Sequence, residues 1–77
     1  MNSKQEIIKN IIDLAGAPII SRKEASKLSG GLVSEKTLAN LDCLNEGPKE
    51  RVRIGSRIGY PVTAFAEWYA NRVKTDA

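Results

Sequence analysis

Residues 51–61 read RVRIGSRIGYP, two short alternating runs folded about a glycine. Alternate residues of a strand point to opposite faces, so Val52, Ile54, Ile58 and Tyr60 are expected to share the buried side, with Arg51 and Arg53 pointing outward. Parity then restricts the turn. A two-residue loop Gly55-Ser56 would pair Ile54 with Arg57 and split the apolar residues between two faces. A three-residue loop, Gly55-Ser56-Arg57, pairs Ile54 with Ile58 and Val52 with Tyr60, which aligns them. The expectation is a two-stranded hairpin over 49–61 with Arg57 at its tip.

Lys49, Arg51, Arg53 and Arg57 face a single acid, Glu50, so this segment holds a surplus as large as the net +3 of all 77 residues. Such a ribbon is either an edge kept soluble by its charge or a surface for a polyanion. A tip arginine suits a minor groove, where the potential is most negative.

Upstream, Ser21-Arg22-Lys23-Glu24 is a capping box that opens a helix through about Ser29, with Ala25 and Leu28 facing inward. Ser29-Gly30-Gly31 breaks it. Ser34 caps a second helix, SEKTLANLDCLNEG, which ends at Gly47-Pro48. A short capped helix, a glycine-containing turn and a second capped helix over 20–47 make a helix-turn-helix pattern, which many helical hairpins also show. At 100° per residue the second helix divides into two faces. Thr37, Leu38, Leu41 and Leu44 share one, and Lys36, Ala39, Asn40 and Cys43 the other. The latter is small, polar and free of acid, with Glu35 and Asp42 on its flanks. Asn40 there can pair with adenine, and Lys36 with guanine or phosphate; a solvated face is the alternative.

Downstream, Pro61 ends the hairpin, and 62–73 read VTAFAEWYANRV. Phe65, Trp68, Tyr69 and Val73 recur at helical spacing and are expected in the core rather than as base-stacking platforms. At the other end, Ser3-Lys4-Gln5-Glu6 is a further capping box, and Ile7, Ile8, Ile11, Ile12 and Ala15 give an apolar stripe over 4–15. That stripe serves either the core or a partner.

Composition narrows the function classes. A chain of 77 residues is one domain, 1–77, and buries only roughly 60–65% of its unfolded surface. One cysteine and no histidine exclude an intrachain disulfide, a structural zinc site and the histidine-based nucleophilic arrangements. The acids Glu24, Asp42, Glu46 and Glu67 are expected at scattered solvent-facing helix positions, with no histidine to pair with. No stretch is apolar enough for a signal peptide or membrane span. The reading is a soluble, cytoplasmic, non-enzymatic protein with no cofactor and no metal.

The order of these pieces resembles the excisionase-like, MerR-type winged helix-turn-helix domains, small DNA-binding proteins encoded by phages and genomic islands. The likeness spans Ile20–Tyr69. It rests on SRKEASKLSG, on SEKTLANL with Thr37 opening the second helix, and on the Gly47-Pro48 pair before the wing. RVRIGSRIGYP as the wing and VTAFAEWYA, with Phe65 and Trp68 at the closing positions, complete it. The implied fold is mainly α with a small β-hairpin: an extra N-terminal helix, a helix-turn-helix, a two-stranded wing and a C-terminal helix. The turn Ser29–Ser34 is longer than the usual Gly-Val-Ser connection, and the second helix carries one basic residue where relatives often carry two or more.

The resemblance implies double-stranded DNA as the partner. Helix 34–46 would enter the major groove, and wing 51–60 would lie on phosphates or the adjacent minor groove. Ser34, Lys36, Ala39 and Asn40 would be base-side residues; Arg51, Arg53 and Arg57 would be wing contacts; Arg22 and Lys23 would meet phosphate. Such proteins act in DNA recombination, as directionality factors beside an integrase, or in transcription regulation; an integrase or recombinase, or self-association on DNA, is the further partner expected for this chain. The alternative is an interaction module of the same fold that binds an integrase, a repressor or its own copy through the N-terminal helix.

Overall fold

The computed structural model describes residues 3–73. In chain order these form α1 (Ser3–Ala15), β1 (Ile19–Ser21), α2 (Arg22–Leu28), α3 (Glu35–Cys43), β2 (Val52–Ile54), β3 (Arg57–Pro61) and α4 (Val62–Arg72). The described chain is thus mainly helical, with four helices and one small antiparallel sheet. The expected cap by Ser3 falls outside the described side chains. No helix among the described residues is long and apolar enough to cross a membrane.

Six of the seven elements supply the core. Ile11 comes from α1, Ile20 from β1, Ala25 from α2, Leu38 from α3, Tyr60 from β3, and Val62, Phe65 and Ala66 from α4. Helix α1 packs chiefly on α4, with Ile11 buried and Ile7, Ile8 and Ala15 half-buried against the cluster. The Phe65 ring has neighbours at 5.9 Å (Trp68), 5.9 Å (Tyr69) and 6.4 Å (Tyr60), so all four aromatic residues of the chain form one cluster. Val73, expected with them, is exposed just past the end of α4.

The sheet corrects the sequence reading twice. First, it has three strands in the order β1-β3-β2. Ile19 and Ile20 are β-branched residues held extended between Pro18 and the N-cap Ser21, and they pair with Pro61 and Tyr60. The amide of Val62 then donates to the carbonyl of Pro18 at 2.8 Å, tying the start of α4 to this third strand.

Second, the hairpin has the two-residue loop. Ile54 pairs with Arg57, Arg53 with Ile58 and Val52 with Gly59, so Arg57 opens β3 instead of forming the tip. The parity argument assumed that both strands face a core, but β2 contributes no buried residue. Its register is therefore set elsewhere. Gly55 at the first loop position has φ 63°, as a tight type II′ hairpin turn requires. Gly59 opposite Val52 is the other determinant: a Cβ there would lie 3.0 Å from the Ile20 carbonyl oxygen and 3.1 Å from Ile19 Cγ2. As a result Arg53, Ile58, Tyr60 and Ile20 share the core-side face, while Val52, Ile54, Arg57 and Ile19 share the outer one. Arg53 thus lies on the opposite side to that expected, and Ile54 is exposed.

Both expected caps of the central helices form. Ser21 Oγ accepts the Glu24 amide and Ser34 Oγ the Thr37 amide, each at 3.1 Å. At the other end of α2, the Gly30 amide bonds the Lys27 carbonyl (2.9 Å) and the Gly31 amide the Ser26 carbonyl (3.1 Å), a Schellman closure. Helix α3 closes in the same way at Asn45, whose φ is 59°. The Asn45 and Glu46 amides return to the carbonyls of Asp42 and Leu41. This stops the helix at Cys43, short of the expected 46, and leaves Leu44 exposed instead of on the buried stripe.

The long turn between α2 and α3 is pinned. Ser29, buried, donates from Oγ to the Ser26 carbonyl at 2.6 Å and accepts the Val33 amide at 3.1 Å. Its own carbonyl accepts the Tyr69 hydroxyl at 3.2 Å.

Candidate nucleic-acid interface

A buried polar cluster joins the elements that carry the expected DNA contacts. Tyr60 is fully buried, so its hydroxyl needs a partner inside. It donates to Asp42 Oδ2 at 2.6 Å. The same oxygen receives Arg22 Nη2 at 2.7 Å, and Arg22 Nε donates to the Tyr60 hydroxyl at 3.1 Å. Three side chains from α2, α3 and β3 thus satisfy one another around a single carboxylate, and a buried charge is tolerated because it is paired. The hydrogen bond to Asp42 is the main cause that raises the Arg22 pKa. Burial, reinforced by the bond to Asp42, pushes the Tyr60 phenol up to about 12.

This cluster corrects the expectation for Asp42, which is buried, not solvent-facing. The signal was present: Asp42 follows Leu38 by four residues and so stands on the buried stripe of α3. It also defines the place of Arg22, whose guanidinium is held by Asp42 and Tyr60 at the start of α2.

The expected site residues divide into groups. Ser21, Arg22 and Lys23 at the start of α2, Glu35 at the start of α3, and Ser56, Arg57 and Ile58 of the hairpin border one surface depression. Lys23 and Arg57 are exposed there and make no ion pair or side-chain hydrogen bond among the described residues. The carboxylate Glu35 shares the depression.

On α3, Lys36 and Asn40 are exposed and equally uncommitted, whereas Ala39 is half-buried and backs the face. Ser34 is exposed, but its hydroxyl serves the helix: it accepts the Thr37 amide and donates to Thr37 Oγ1 at 2.9 Å.

The four cations of the hairpin segment do not form one patch. Lys49 and Arg51 border a second depression with Asp42, Asn45 and Gly47 at the C-terminal end of α3. Cations are favoured there by the helix dipole, and an Arg51 N–H reaches the Asp42 carbonyl at 3.5 Å. Arg53 is exposed on the core-side face of the hairpin, opposite Arg57.

Burial of Ile11 leaves Ile12 and Leu14 as the exposed apolar residues of α1. Among the described residues, no group of three or more cysteine, aspartate or glutamate side chains is placed to hold a metal ion. No family model matches the chain, and no curated protein or solved structure is significantly similar to it.

Proposed function

We propose that this chain is a winged helix-turn-helix DNA-binding protein of the excisionase-like, MerR type, acting without catalysis on double-stranded DNA. One observation carries the reading: the start of α2, the start of α3 and the hairpin turn border a common depression on which Lys23 and Arg57 stand free. In this arrangement α3 lies in the major groove, with Lys36 and Asn40 on the base side. The turn Gly55-Ser56 and Arg57 lie on phosphates or the adjacent minor groove, with Lys23 on the backbone beyond α2. Arg22 acts through its bonds to Asp42 and Tyr60, orienting α2, α3 and β3 toward the duplex. A recombination directionality factor and a small transcriptional regulator are the two roles this reading accommodates.

Anisotropy of the purified protein with a labelled random duplex and with DNA upstream of its own gene, at two salt concentrations, tests it. Counterion release makes log affinity fall with log salt by about 0.9 for each phosphate neutralised. Salt-sensitive binding that prefers the upstream DNA is the expected result. Weak binding indifferent to salt would return the basic hairpin to a solubility device.

A further inference from the structure

Ile54 ends β2 at the hairpin turn, directly opposite Arg57. It is 74% exposed, so the fold draws little packing from it. A single exposed isoleucine is ordinary on a protein surface, and only its position gives this one a meaning. Arg57 makes no ion pair or side-chain hydrogen bond among the described residues, and it borders the depression shared by the starts of α2 and α3. Directly opposed side chains of an antiparallel pair stand about 5 Å apart. A surface that meets Arg57 is therefore within reach of Ile54.

Resting on the DNA-binding reading above, we propose that Ile54 is a wedge, which enters the minor groove beside Arg57 and inserts between two base pairs at a flexible pyrimidine–purine step. The chemistry of the side chain argues against a phosphate contact. An alkyl group can neither hydrogen-bond nor neutralise a phosphate, whereas the faces of an opened base step are apolar and accept isoleucine. Arg57 supplies the attraction that holds the hairpin end in the groove, where the potential is most negative. The turn between the two is Gly55-Ser56, which adds little bulk at the point of entry. Isoleucine is also β-branched and stiff at χ1, so it loses little rotamer freedom on insertion. Steps such as TA unstack easily, while A-tracts are stiff. The wedge thus confers sequence preference without a hydrogen bond to any base edge. Ile19 and Val52, farther from the turn on the same face, take no part.

Two short duplexes of equal composition test this, one of alternating TA steps and one built of A-tracts, each with 2-aminopurine replacing a central adenine. The full chain is expected to bind the TA duplex on the order of tenfold more tightly and to raise its 2-aminopurine fluorescence, the sign of unstacking. Ile54→Ala, at an exposed position, is expected to keep the native melt and the salt slope, because no charge is removed. It should lose the fluorescence rise, and its preference should vanish or turn toward the A-tract, whose narrow groove still attracts Arg57. Ile54→Leu should retain both signals.

Salt-sensitive binding with no fluorescence rise would overturn the wedge and leave the DNA-binding reading standing. So would a rise and a TA preference that survive in Ile54→Ala, or an equal loss of affinity for both duplexes in that variant. Absence of salt-sensitive binding to either duplex by the native chain would overturn both.

Discussion

The hydroxyl of Tyr60 and the guanidinium of Arg22 meet on one oxygen of Asp42, at 2.6 and 2.7 Å, and bond each other at 3.1 Å. Because Tyr60 belongs to β3, Arg22 to α2 and Asp42 to α3, this oxygen holds the hairpin against both helices of the candidate interface. Asp42→Ala would leave the buried phenol and the guanidinium without their acceptor. The expected loss is about 2–3 kcal/mol, toward the lower end for a buried pair because Arg22 is partly exposed. Urea unfolding measures it, and a loss under about 0.5 kcal/mol would show that the cluster does not hold the fold.

Tyr60 also makes stability depend on alkaline pH. Its pKa lies at about 12, above the ordinary 10.0, so the folded chain retains a proton that the unfolded chain releases. The contribution is complete below pH 10 and declines as pH rises through 12. A shift of this size corresponds to on the order of 2 kcal/mol. Urea midpoints measured at about pH 9 and about pH 11 are expected to fall further for the native chain than for Tyr60→Phe. Equal falls would mean that Tyr60 does not control the decline.

Gly59→Ala tests the close packing of the sheet. The new Cβ would sit 3.0 Å from a backbone oxygen, that of Ile20, which cannot withdraw without disturbing its pairing with Tyr60. The expected cost is about 1–3 kcal/mol. A thermal melt indistinguishable from the native chain would contradict the tight β1–β3 approach.

Lys23 and Arg57 are free at the depression, whereas Arg22 is bonded inward, so the three are expected to separate by assay. Lys23→Ala and Arg57→Ala should each reduce the salt slope of duplex binding by about 0.9 and leave the melt unchanged. Arg22→Ala should lower the melt. If neither single variant changes the slope, the depression is not where phosphate lies.

Glu35 is the one carboxylate bordering that depression, and a phosphate placed there would be repelled. Glu35→Gln is expected to tighten duplex binding about two- to threefold at low salt, with the gain shrinking as salt screens it. Unchanged or weaker binding would place the duplex elsewhere.

Much of the local structure was legible because it depends on neighbours in sequence. Ser21 and Ser34 cap their helices by bonding an amide three residues on, and the stripe of α1 and the spacing of Phe65, Trp68 and Tyr69 follow the helical period. These readings stand, whereas the end of α3 was misplaced because Asn45 adopts a positive φ that the following Gly47-Pro48 pair obscured. Of the candidate site, Lys23, Lys36, Asn40 and Arg57 were identified as exposed basic or polar residues and are so. The grouping of the hairpin cations was not legible, since it depends on which strand face each occupies.

The amino-acid sequence by itself determined where helices begin, which residues are apolar enough to bury, and that a glycine turn would fold the basic ribbon back. Those are local matters of capping, periodicity and backbone freedom. Only the tertiary structure decided that Ile19–Ser21 would join the hairpin as a third strand, that Val52 and Ile54 would face outward, and that Asp42 would sit buried between Tyr60 and Arg22. Each depends on a partner distant in the chain. Strand register carries no local energy until the opposing face is known, and a carboxylate can be buried only where a distant phenol and guanidinium meet it.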